Sequence, residues 1–117
     1  MIITEKEINI LFSNINYRIL DAKIHKINIY KNEILNIEIS YTPFNSFKKS
    51  TLLLQDVSNF NLNWDNKVEF YNVESCKILF VNNQFYLSLD PYDENILEYD
   101  TRDNDVIICS KIEIFVE

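Results

Sequence analysis

Between Asp90 and Asp105 the chain carries seven carboxylates, Asp90, Asp93, Glu94, Glu98, Asp100, Asp103 and Asp105, against a single cation, Arg102. Such a run solvates a loop and keeps neighbouring strands from sticking, or it docks a basic partner, because closely held carboxylates speed encounter with a cationic surface and reject anionic competitors. A third chemistry is calcium, for which Asp100, Asp103 and Asp105 are hard oxygen ligands at short spacing. Their spacing does not follow the twelve-residue calcium loop, and the glycine that turns that loop is missing. Tyr92 and Tyr99 lie inside the run. Rings among carboxylates form an anchor with a charged rim, or else pack back on a sheet to pin a long loop. The docking reading takes Asp90, Tyr92, Asp93, Glu94, Glu98, Tyr99, Asp100, Asp103 and Asp105 as the partner-binding set, with no metal and no cofactor.

The remaining reactive side chains are few. His25 is the only imidazole, and no oxyanion-type motif accompanies it, so a Cys/His or Ser/His/Asp catalyst has nothing to assemble around. Cys76 and Cys109 match no CxxC or zinc spacing and read as buried free thiols. Paired acids could serve a glycosidase, but acids are so plentiful that the match says nothing. Glycine is absent altogether, which removes dinucleotide fingerprints, P-loops and nucleophile elbows, all of which need it where backbone approaches a phosphate or turns with positive φ. The expectation is a protein that is not an enzyme.

The 117 residues, 47% hydrophobic and 25% charged, suit a single domain over 1–117. Net charge is −7, which disfavours nucleic acid as a partner. The apolar runs are far too short for a membrane span, and the start Met1 to Glu7 lacks the pattern of a signal peptide. These features predict a cytoplasmic protein. The charge is also uneven: residues 1–67 hold 8 basic and 7 acidic groups, residues 68–117 hold 3 and 11.

The elements that must hold the acidic run are mostly strands. Isoleucine occurs 18 times and alanine once, a balance that favours β structure, while 16 asparagines supply turns in glycine's place. Thr4 and Glu7 have capping-box spacing and Ile8, Leu11, Phe12 and Ile15 make one stripe, which predicts a helix over about 5–15. Alternation begins after Tyr17, slips by one near His25 and Lys26 as a bulge would allow, and resumes through Leu35, Ile37, Ile39 and Tyr41. Pro43 ends that hairpin. The connection to Ser50, with Phe44, Phe47, Lys48 and Lys49, is a second candidate binding surface. Leu52 to Val57 reads as a strand, followed by Phe60, Leu62 and Trp64 on one face, with Trp64 expected in the core. A turn at Asp65–Asn66 leads to a strand starting at Val68 and Phe70. Ile78 to Val81, Asn82–Asn83 and Phe85 to Leu89 form a hairpin. Val106, Ile108, Ile112, Ile114 and Val116 share one parity in a final strand. The predicted fold is mainly β, about seven or eight antiparallel strands in a bent sheet or sandwich with one N-terminal α-helix. The alternative is α+β, with a second short helix between Asp93 and Asp103.

The order of Leu20-Asp21-Ala22-Lys23-Ile24, a hairpin, Leu52-Leu53-Leu54-Gln55-Asp56-Val57, then Phe85-Tyr86-Leu87-Ser88-Leu89-Asp90-Pro91 and a final strand resembles small β-rich bacterial families. These include immunity proteins of polymorphic toxin systems and related families without an assigned function. Leu20 stands where such families often have a histidine. The resemblance implies a non-enzymatic protein-binding domain, an immunity protein or inhibitor docking a basic, toxin-like partner. The alternatives are a structural or assembly subunit, dimerising through a strand edge, and a small-ligand-binding β domain.

Overall fold

The computed structural model describes residues 1–63 and 71–117. Among them, eight strands build one antiparallel sheet: β1 (Ile2–Ile3), β2 (Lys23–Lys31), β3 (Leu35–Thr42), β4 (Ser50–Asn61), β5 (Tyr71–Asn72), β6 (Lys77–Val81), β7 (Gln84–Asp90) and β8 (Asn104–Val116). Their order is β5-β2-β3-β4-β8-β7-β6, and β1 pairs the distal part of β8 beyond the end of β7. This is the expected mainly β fold, a sheet curled into a half-barrel. The turn of residues 93–103 holds no helix, so the α+β alternative is set aside. Trp64, the Asp65–Asn66 turn and the strand start at Val68 and Phe70 lie outside the described residues.

Curling follows from local breaks in the ladder. The register shifts between Ile24 and Lys26, where the sequence alternation slips, and again between Val57 and Asn59 in the longest pairing, β4 with β8. Each break adds bend and right-handed twist. The sheet bends until Tyr71, on the terminal strand β5, reaches across with its hydroxyl to donate to the carbonyl of Leu89 at 3.2 Å and to Asp105 Oδ2 at 2.9 Å. Inside the curve, Ile37, Ile39, Leu52, Leu54, Ile112 and Ile114 are buried in one apolar core.

Two sequence expectations change. The N-terminal helix is shorter than 5–15: a 3₁₀ turn (Glu5–Glu7) precedes a single α-helical turn, α1 (Ile10–Ser13). The Thr4 hydroxyl donates to the Glu7 carboxylate at 2.8 Å and caps no backbone amide. Leu11 is buried and Ile8 and Phe12 pack on the core, but Ile15 lies past the helix end at Asn14 and is exposed. The final strand also breaks its parity. Ile107 and Cys109 face the core with Ile112 and Ile114, whereas Val106 and Ile108 face outward. The reversal falls between Cys109 and Ile112, opposite Asp56, whose φ is 55° and whose carboxylate accepts from Ser110 Oγ. Both strands turn there together, and their register is kept across the kink.

Outside the curve, the stretch from Pro91 to Asp103 crosses the convex face of β6, β7 and β8 as a strap. Strand β7 is therefore covered on both sides, and Phe85 to Leu89 are five consecutive buried residues. Polar and apolar positions alike are buried, as expected of a strand packed on both faces.

Candidate functional site

The strap is held by a buried ion pair that crosses the sheet's outer surface. Lys77 at the start of β6 and Tyr86 and Ser88 on β7 project to the convex side, beside the core-facing Phe85, Leu87 and Leu89. Lys77 Nζ lies 2.8 Å from Asp103 Oδ2, with both side chains at most 1% exposed. The same ammonium donates to the carbonyl of Glu98 at 3.1 Å. The Tyr86 hydroxyl donates to Asp103 Oδ2 at 2.7 Å and the Tyr92 amide to Oδ1 at 2.9 Å. Burial alone raises the carboxyl of Asp103, but hydrogen bonds from Lys77, Tyr86 and the Tyr92 amide outweigh it and hold it below the ordinary carboxylate range. Desolvation, with the Asp103 hydrogen bond next, pushes the Tyr86 hydroxyl up.

The strap's aromatics divide between fastening and display. Tyr99 stacks on Tyr86 with ring centroids 4.3 Å apart and 21° between planes. Tyr92 is 63% exposed and carries the Arg102 guanidinium 3.9 Å above its ring. Arg102 also grips Asp100, at 2.8 Å from Nη2 and 3.0 Å from Nε. Those hydrogen bonds draw the Asp100 carboxyl down to about 2.

The nine residues grouped by sequence thus occupy two levels. Asp90, Tyr92, Asp93, Glu94, Glu98 and Tyr99 are exposed, joined at the surface by the partly buried Asp100 in its pair with Arg102. Asp103 and Asp105 are only 4% exposed and face inward. Asp105 accepts from the Tyr71 hydroxyl and, at 2.7 Å, from the amide of Asn63. Its left-handed φ of 50° turns the chain between the two buried carboxylates. Both are therefore corrected from contact residues to supports. Asp100, Asp103 and Asp105, the calcium alternative, each answer to a different partner, and no group of three His, Cys, Asp or Glu among the described residues is placed to hold a metal ion. Lys77 escaped the sequence reading, as did the pairing of Tyr71 with Asp105 and of Tyr86 with Asp103. For Lys77 a signal existed: one lysine inside an apolar strand, in a chain half with few other cations.

Beside the strap, an open cleft of about 240 Å³ is lined by Asn59, Asn61, Tyr99, Thr101, Val106 and Ile108, among others. It offers amides, a ring edge and aliphatic surface. The imidazole lies elsewhere, with His25 Nε2 2.7 Å from Thr42 Oγ1. Desolvation, then Lys49 and Lys23, lower its pKa. In the adjacent connection, Phe44, Phe47, Lys48 and Lys49 are all exposed. Cys76 and Cys109 are free and buried, and desolvation pushes both thiols up to about 12. No helix among the described residues is long and apolar enough to cross a membrane. Comparison with protein-family models, curated proteins and solved structures returned no match.

Proposed function

We propose that this chain is a non-enzymatic protein-binding domain, an immunity- or inhibitor-type protein of bacterial cytoplasm that docks a cationic, toxin-like partner on its strap. The observation that carries the reading is that the strap's underside is fastened by the buried Lys77–Asp103 pair while Asp90, Asp93, Glu94 and Glu98 face solvent beside Tyr92 and the 74% exposed Leu97. A loop fixed before binding loses little conformational freedom on docking. Its carboxylates steer a basic surface over about a Debye length of ~8 to 10 Å, and Tyr92 and Leu97 supply the apolar anchors that slow dissociation. Sequence resemblance to immunity families points the same way.

The test is charge reversal at Asp93, Glu94 and Glu98. Partner recovered from the source organism with the wild-type protein should associate with the triple variant at least tenfold more slowly, with much less dependence on salt. Thermal unfolding should stay within a few degrees, because exposed carboxylates add little to stability. Equal on-rates and equal salt sensitivity for the two proteins would remove the strap from the interface.

A further inference from the structure

We infer that the partner is engaged by strand addition: a short extended segment, alternating basic and apolar residues, lies along the free edge of β6. This rests on the docking role proposed above and assigns it a geometry. Strand β6 ends the sheet, and among the described residues nothing pairs with its outer edge. The two-residue turn Asn82–Asn83, with φ of 54° and 61°, fixes which groups face that edge. In such a hairpin the flanking pair Val81 and Gln84 is hydrogen-bonded, so Leu79 and Lys77 also bond inward to β7 and the N–H and C=O of Ile78 and Phe80 point out. Natural edges are guarded by an exposed lysine, a proline or a bulge. Here the one lysine, Lys77, is turned under the strap, the register with β7 runs unbroken from Lys77–Ser88 to Val81–Gln84, and no proline is present.

At the start of β6, Lys77 and Ile78 line a groove of about 320 Å³. Ile8 and Phe12 wall it on the core side and Glu94 and Leu97 on the strap side. Side chains of an added strand alternate between these two walls. One set meets the apolar helix turn, the other meets Glu94 at the edge of the carboxylate-rich strap. The occupant that matches both is a strand with aliphatic residues on one face and Lys or Arg on the other, recognised through its main chain.

The probe is the capped hexapeptide Lys-Val-Lys-Val-Lys-Val, titrated into ¹⁵N-labelled protein. The amides of Ile78 and Phe80 should shift and exchange with solvent at least tenfold more slowly when the peptide is bound. The same peptide with every backbone nitrogen methylated keeps its charges and side chains but cannot join a ladder, and it should bind at least tenfold more weakly, as should the unmodified peptide to Glu94→Lys. Equal binding of the methylated and unmodified peptides would overturn strand addition and leave the acidic-face reading standing. Absence of any shift at millimolar peptide, or a concentration-dependent dimer closed through β6 in sedimentation, would overturn this choice of occupant. Equal binding of Glu-Val-Glu-Val-Glu-Val would overturn the basic occupant and the acidic-face reading together.

Discussion

On the concave side of β7, Phe85, Leu87 and Leu89 join a core of hydrocarbon, whereas on its convex side Tyr86 and Ser88 lie among an ammonium, a carboxylate and backbone carbonyls beneath the strap. The two layers exclude water equally but fix structure differently. A hydrocarbon layer tolerates exchange of one aliphatic residue for another of similar volume. The polar layer is more restrictive, because Lys77, Tyr86 and Ser88 each donate to a directed acceptor and an ammonium left without its carboxylate is costly in low dielectric. The strap's course is therefore specified by hydrogen-bond direction, and the half-barrel's by the amount of apolar surface removed from water.

The sharpest break in this comparison is Lys77→Met, which leaves Asp103 buried without its cation. Urea denaturation should show a loss of about 3–5 kcal/mol, and Lys77→Met with Asp103→Asn should recover more than half of it, since the neutral amide removes the uncompensated charge and its one oxygen still accepts from either Tyr86 or the Tyr92 amide. A loss under about 1 kcal/mol for the single variant would mean that water already reaches the pair. Acid gives the next largest effect. Asp103 is more readily ionised in the fold than in the unfolded chain, so its contribution is complete above about pH 4 and is lost as pH falls through the depressed folded value. Stability measured from pH 5 down to pH 2 should fall more steeply for the wild type than for the double variant. The smallest effect belongs to the concave layer. Ile39→Val, deep in the core, should cost only about 0.5–1.5 kcal/mol and leave Tyr92 and Tyr99 resonances unmoved, whereas Lys77→Met should shift both.

What the sequence discloses follows the same division. Where one face of a strand is wet, alternation is legible: β3 shows Ile37, Ile39 and Tyr41 inward with polar neighbours between, and the slip at His25 and Lys26 is the bulge observed. Where the strap or its flanking cleft covers the second face, alternation vanishes. Val106, Ile107, Ile108 and Cys109 are apolar at four consecutive positions, so parity there carries no direction, and the reversal before Ile112 could not be read. The N-terminal helix was overextended for a local reason, because asparagine and β-branched isoleucine are weak helix formers and the chain leaves the helix at Asn14. At the site, the carboxylates were legible as a cluster, but their sorting into exposed and buried members was not. That sorting depends on Lys77 and Tyr71, which lie 26 and 34 residues away from the carboxylates they meet.

Every positive-φ position among the described residues, Asp21, Asn45, Asp56, Asn82, Asn83 and Asp105, holds aspartate or asparagine. A glycine at such a place leaves the denatured chain many more conformations to lose, at a cost of roughly 0.5–1 kcal/mol per residue relative to a side chain. Asparagine and aspartate accept some left-handed strain in exchange for a stiffer random chain, so the net free energy changes little. The denatured ensemble changes more. A glycine joint swings through mirror-image regions of backbone space that a Cβ forbids, and each joint here samples a narrower range. A chain jointed in this way searches fewer wrong hairpins while it folds, and a sheet whose neighbours β4 and β8 are far apart in sequence gains from every hairpin that closes in the right register the first time.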